Sequence, residues 1–261
     1  MPAFSFRQNR AANWLQSSTS GNRGFEGNDW KRSGVNYIVL ACAAFVLLTT
    51  TIMYSQKSKK QKEPTDSVTW DINNLDKICG HQTTVIGDPI VIRVPGGRAV
   101  LFDGVNDGLL VNSNPLAGAK TFTIEAVFRP DAGGDHEQRW FHIQEETGDD
   151  RVLLETRLDG NQWFTDTFIK SGEHSLALYA ENFKHPVGEW YHVALAYDGS
   201  MMRHYVNGKE ELSGPLSIPP LEEGKTSIGV RMNRMYWFKG AVRRARFTQR
   251  ALAPEEFMGK E

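Results

Sequence analysis

Three groups of residues in this 261-residue chain have the types and spacing to do chemistry. The segment FDGVND puts Asp103, Asn106 and Asp107 in one turn, and these are the hard oxygen donors that calcium takes. The same residues cap their own backbone in ordinary turns, so that reading stands beside the metal one. His142, Glu155 and Arg157, with Tyr236 near the end of another strand, are residue types a polysaccharide lyase could use, although their spacing is not diagnostic. A polar sheet face with paired charges is the plainer account of them. Finally, Trp140 and His142 fall two apart on one expected strand, Arg157 lies on a neighbouring run, and Trp163 and Trp237 sit near strand starts. Aromatic rings beside planar hydrogen-bonding groups suit amphipathic sugars, whereas each tryptophan taken alone also suits a core. A retaining glycosidase needs two carboxylates about 5 Å apart, hence alternate positions on one strand. Glu145-Glu146 and Asp149-Asp150 are instead neighbours in a loop, and Glu125 stands alone on its strand.

The elements that must position these residues are strands. In WYHVALAYDGSMMRHYVNGK (190–209), Tyr191, Val193, Leu195 and Tyr197 alternate with His192, Ala194 and Ala196, the period of a strand with two distinct faces. A second run, Met202 to Val206, ends in Asn207-Gly208, a dipeptide that accepts positive φ at both turn positions. Further strands are expected at Ile90–Val94, Ala99–Phe102, Gly108–Val111, Phe122–Arg129 and Arg139–Gln144. Others follow at Arg151–Leu158, Trp163–Ile169, Leu176–Ala180, Thr226–Met232 and around Phe238–Phe247. The one helical turn expected is APEEF (253–257), where Pro254 suits a first helical position. Many short strands at even spacing predict an all-β sandwich or barrel.

Charge and composition divide the chain. Residues 1–34 are polar, aperiodic and net +3, and read as a disordered tail. Residues 35–54 are apolar, uncharged and 20 long, enough to cross a hydrocarbon core of about 30 Å as a transmembrane helix. The long polar stretch before this run argues against a cleaved signal peptide, and only a handful of apolar residues precede Cys42, too few for a lipoprotein site. Residues 55–67 form a charged linker, and 68–261 form the folded domain. From residue 65 onward the chain carries 21 basic and 28 acidic residues, a net −7 that excludes nucleic acid as a partner. Lysine and arginine flank both ends of the apolar run, so charge does not orient it. Cys79 has no expected intramolecular partner.

Six segments occur in order: AVLFDGVNDGLLV, FTIEAVFRPD, WYHVALAYDG, HYVNGK, SIGVRMN and FKGAVRRARFTQRALAPEEF. Together they resemble the laminin-G-like jelly-roll modules of the concanavalin A-like lectin/glucanase superfamily. The resemblance implies two packed antiparallel sheets that bind glycans or proteins, sometimes through calcium, with some relatives cleaving polysaccharides. Where the family usually places an acidic pair near the first turn, this chain has Arg243 and Arg244. A guanidinium there repels a dication and is expected to pair with Asp103 or Asp107, so no calcium and no other cofactor is expected. The family's Glu-x-Asp-x-x-Glu arrangement is absent.

The expected molecule is a two-sheet jelly roll behind a single transmembrane helix. The resemblance places that domain on the extracytoplasmic side, as a lectin-like, non-catalytic module for a glycan or a protein partner. Two alternatives stay open: a polysaccharide-cleaving hydrolase or lyase on the same fold, and a structural spacer without ligand.

Overall fold

The structure is a computed structural model that describes residues 66–259. The tail (1–34), the apolar run (35–54) and the linker up to residue 65 lie outside the described residues. No helix among the described residues is long and apolar enough to cross a membrane.

The strands, in chain order, begin with β1 (Ser67–Asp71), β2 (Lys77–Ile78), β3 (His81–Ile86), β4 (Ile90–Val94), β5 (Gly97–Asp103) and β6 (Gly108–Val111). They continue with β7 (Phe122–Pro130), β8 (Glu137–Glu145), β9 (Arg151–Asp159), β10 (Gln162–Ser171), β11 (His174–Tyr179) and β12 (His185–Pro186). The last are β13 (Tyr191–Tyr197), β14 (Met201–Val206), β15 (Lys209–Pro215), β16 (Gly224–Ile228) and β17 (Lys239–Thr248), before a 3-10 turn at Pro254–Glu256. Ser67, expected in the linker, already pairs in β1 with Thr248.

Two antiparallel sheets result. The first runs β15-β14-β13-β7-β17-β5-β4, with β1 also on β17; the second runs β11-β10-β9-β8-β16-β6-β3-β2, with β12 on β10. Their inner faces share one aromatic-rich core. Phe128 of β7 stacks on Trp140 of β8 at 4.3 Å and meets Trp163 of β10 edge-on at 5.1 Å. Each such ring buries some 150–250 Å², so this junction is a principal contact between the sheets.

The hairpin of β14 and β15 turns at Asn207 (φ 51°) and Gly208 (φ 80°), as the Asn-Gly signal predicts. Tyr191, Val193, Leu195 and Tyr197 face the core. The alternate residues do not face solvent. Ala194 and Ala196 pack with Tyr205 beneath Leu252 and Phe257, because the chain after β17 crosses back over this sheet. Small side chains on β13 leave room for that segment.

Beneath it lies a buried charge cluster around Glu125, the one carboxylate of β7. Glu125, fully buried, accepts from His192 Nε2 at 3.0 Å, from Arg246 Nε and from the Met258 amide at 2.6 Å.

Candidate binding site on the outer face of the second sheet

Alternate residues of β8 to β11 point away from the core and line up in cross-strand rows. One row pairs Glu137 with Arg157 and Arg157 with Phe164. The next runs Arg139–Glu155–Asp166–Tyr179, followed by His142–Leu153–Phe168–Ala177 and Gln144–Arg151–Lys170–Ser175. The middle of these rows, from Arg139 and Arg151 to Asp166 and Ala177, lines with Arg231 a depression of about 300 Å³; Tyr179 lies outside that lining. A larger hollow of about 520 Å³ beside β11 gathers Glu173, His174, Ser200 and Ser217 without an ion pair among them. The smaller depression holds the organised chemistry.

Its charges form a ladder. Arg139 donates from Nε to Glu155 at 3.0 Å and from Nη2 to Glu137. Arg157 reaches Glu137 at 2.7 Å through Nη1 and grips Asp166 through Nε and Nη2. Burial pushes the Glu155 carboxyl up to about 7, against the pull of Arg139, while the neighbouring Asp166 charge pushes the same way as burial. The guanidinium of Arg139 lies 4.0 Å over the Tyr236 ring, and that of Arg151 lies 5.0 Å over Phe168.

The loop after β16 delivers Arg231 and Tyr236. The sequence predicted a strand through Met232, but β16 stops at Ile228. At Gly229 (φ 85°) the chain turns so tightly against Phe102 that a Cβ would lie 2.3 Å from its ring. Gly229 donates to the Trp140 carbonyl, and the Met232 amide donates to His142 Nδ1 at 3.2 Å. That bond leaves the proton of the neutral ring on Nε2. His142 is fully buried, and burial, then the Arg231, Arg151 and Arg139 charges, push its pKa down to about 3.

Of the expected site residues, Glu155 and Arg157 line the depression, Tyr236 supports it through Arg139, and His142 lies in its floor row. Trp140 and Trp163 do not belong to it. The register of β8 shifts between Arg139 and Phe141, so Trp140 is the extra residue of a bulge and turns into the core beside Phe141. Trp163 is likewise wholly in the core. Trp237 is half-buried, next to Tyr236 in the loop. Sequence reasoning missed Arg139, Arg151, Asp166, Tyr179 and Arg231. Period-two alternation within β9 and β10 carried a signal for Arg151 and Asp166; Arg231 carried none.

The calcium candidates are occupied by the backbone. Asp103 Oδ1 accepts the amides of Val105, Asn106 and Asp107, at 2.8, 3.1 and 3.3 Å. Asp107 accepts those of Asp88 and Asp103, at 2.7 and 3.1 Å. Burial raises the Asp103 pKa, but those amides outweigh it and hold the carboxyl below its ordinary value. The expected pairing with arginine is corrected accordingly: Arg244 pairs with Asp71 at 2.7 Å, and Arg243 donates to the Pro95 carbonyl. No group of three or more potential metal ligands occurs among the described residues. The loop carboxylates are structural too: Glu145 accepts the Glu222 amide, and Asp150 accepts from Ser171 and Gly172.

Two antiparallel sheets packed face to face, with a polar depression outside one of them, define a jelly-roll sandwich of the concanavalin A-like class. The chain belongs to the concanavalin A-like lectin/glucanases superfamily, whose laminin-G family model matches residues 103–257. No curated protein matches it by sequence. Among solved structures it is similar to domain 4 of AbnA, a GH43 extracellular arabinanase from Geobacillus stearothermophilus solved with arabinotriose. That match has TM-score 0.56 and 19% identity, and covers 72% of this chain and 94% of that one. The binding domain of Paraclostridial Mosquitocidal Protein 1 matches at TM-score 0.55 and 14% identity, covering 73% of this chain and 50% of that one. The receptor binding domain of botulinum neurotoxin type G matches at 0.54 and 13%, covering 72% and 49%. The chain thus spans about half the length of these two toxin domains. At such identities the likeness is one of fold.

Proposed function

We propose that the chain is a lectin-like binding module that holds a glycan in the depression over β8–β11 without cleaving it. The observation that carries this is the ladder Arg139–Glu155–Arg157–Asp166, in which planar hydrogen-bonding groups fix one another beside aromatic rings. Sugars offer hydroxyls to such groups and C–H faces to rings. The arabinotriose complex of the arabinanase domain supports a sugar on this fold. A glycan array probed with the full chain in detergent, beside an assay for released reducing ends, tests it. Binding without release is expected. Absence of binding to every glycan overturns it and leaves a protein partner or a spacer.

A second reading has one observation in its favour. Glu155, 4% exposed and pushed up to about 7 by burial, holds a proton near neutrality beside its cross-strand neighbour Asp166, two carboxyl groups whose environments differ as those of an acid and its partner must. Release of reducing ends that Glu155→Gln abolishes would establish it.

Residues 35–54 are proposed as an uncleaved membrane anchor, with the sandwich on the extracytoplasmic side. A mature N-terminus after residue 54, or full protection of the sandwich from protease on intact cells, overturns the respective half.

A further inference from the structure

The arginines of the depression are unequally employed. Arg139 and Arg157 are committed to Glu137, Glu155 and Asp166. Arg231, half-buried at the same rim, makes no ion pair among the described residues. Burial, and then the charges of Arg139 and Arg151, work against its protonated form. Two donors share this end. Nε of Arg151 and Nε2 of His142 are buried and have no acceptor among the described residues. Because Nδ1 of His142 already accepts the Met232 amide, its Nε2 is the protonated nitrogen and can only donate. The depression therefore has a satisfied end, where each carboxylate meets a guanidinium, and an end where Arg151 reaches Asp149 through Nη1 while Arg231 makes no ion pair and the Arg151 Nε and His142 Nε2 donors have no acceptor among the described residues.

An uncompensated guanidinium and orphaned buried donors are costly unless something anionic completes them. The rest of the domain supplies no general attraction for anions, since residues from 65 onward are net negative. Preference must therefore come from local contact rather than long-range steering. Tyr179, 46% exposed at the end of the Asp166 row, offers a ring face of the kind sugars stack on.

We propose that the depression selects an acidic glycan, one bearing a carboxylate or a sulfate, with the anionic group against Arg231 and Arg151. This rests on the binding reading above and names its ligand class.

The test uses the full chain in detergent against matched probes. Oligogalacturonate is compared with its methyl ester, a sulfated oligosaccharide with its desulfated form, and polyglutamate serves as a non-sugar anion. One acidic probe should bind about tenfold or more tighter than its neutral counterpart, the size of a charge-assisted hydrogen bond. The arm that responds distinguishes carboxylate from sulfate. Arg231→Gln should bring the two members of that pair within about threefold, and Arg231→Lys should restore part of the preference. Should Arg231→Gln fail to fold, Arg151→Gln is expected to cut the same preference. Equal binding of acidic and neutral members, unmoved by these variants, overturns the anionic assignment while the glycan-binding reading survives. No binding to any sugar overturns both. Polyglutamate binding as tightly as the acidic sugars overturns the glycan assignment in favour of an acidic protein.

Discussion

The guanidinium of Arg139 lies 4.0 Å over the ring of Tyr236, a residue held at φ 65°. A bulky residue in that conformation is strained, so the loop keeps it there for what the ring does. The ring fixes the height of Arg139 above β8 while Glu155 and Glu137 fix its direction. Tyr236→Ala should therefore weaken glycan binding and lower stability by about 1 kcal/mol, or about 2–4 °C for a domain of this size. Tyr236→Gly relieves the backbone strain, so it should melt higher than the alanine variant yet bind no better. Tyr236→Phe should keep both properties. Equal binding by all four proteins would remove Tyr236 from the site.

Acid should destabilise the fold. Burial pushes His204 down to about 4, where its ring nitrogens meet the hydroxyls of Thr165 and Thr167 at 2.9 and 3.1 Å. Burial likewise pushes His142 down to about 3. Both folded values lie below the ordinary 6.5, so the unfolded chain binds more protons as pH falls. Stability from the two neutral rings is complete above pH 6.5 and is lost toward their folded values. Glu155 acts in the opposite sense. Its folded value of about 7 exceeds the ordinary 4.5, so its contribution is complete below 4.5 and is lost as pH rises through 7. Two histidines outweigh one glutamate, leaving a net loss of about 2–3 kcal/mol between pH 6.5 and 4.5. Urea midpoints at those two values check it; an unchanged or higher midpoint at pH 4.5 contradicts it.

Glu125→Ala should be among the most damaging single changes. It leaves Arg246, 2% exposed, without the carboxylate it pairs with, and removes the acceptor of the Met258 amide. Breaking one side of a buried pair costs about 3–5 kcal/mol. Replacing both partners, as in Glu125→Met with Arg246→Met, should cost less than the sum of the single changes. Denaturant unfolding of the three variants measures this, and a cost below about 1 kcal/mol for Glu125→Ala contradicts it.

Millimolar calcium against chelator should leave the melting curve within about 2 °C. The amides of Val105, Asn106, Asp107, Asp88 and Asp103 already engage the oxygens that calcium would need. A site filled at a hundred times its dissociation constant would add about 2.7 kcal/mol. A rise of about 5 °C or more would restore Asp103, Asn106 and Asp107 as a metal site.

The sequence alone determined the fold class and most of the long strands, while β1, β3 and β15 were not read from it and β16 ends earlier than expected. Alternation of Tyr191, Val193, Leu195 and Tyr197, with Asn207-Gly208 after β14, fixed a hairpin whose core face follows from local pattern. Short range suffices there, because side-chain direction repeats every two residues and the turn chemistry is local. That rule holds only while the strand is regular. One extra residue at Trp140 turned that ring from the expected binding face into the core, and a bulge depends on the partner strand β9. What covers a face is also non-local. His192, Ala194 and Ala196 read as an outer face until residues 252–258, more than fifty positions later, close over them. The depression depends on distance in the same way. Arg231 and Tyr236 reach Arg139 and His142 across some ninety residues because Gly229 turns against Phe102 instead of extending β16. Residue types set which chemistry was possible; only the packed sheets and that turn brought the charges together, because their neighbours are set by cross-strand register rather than by spacing along the chain.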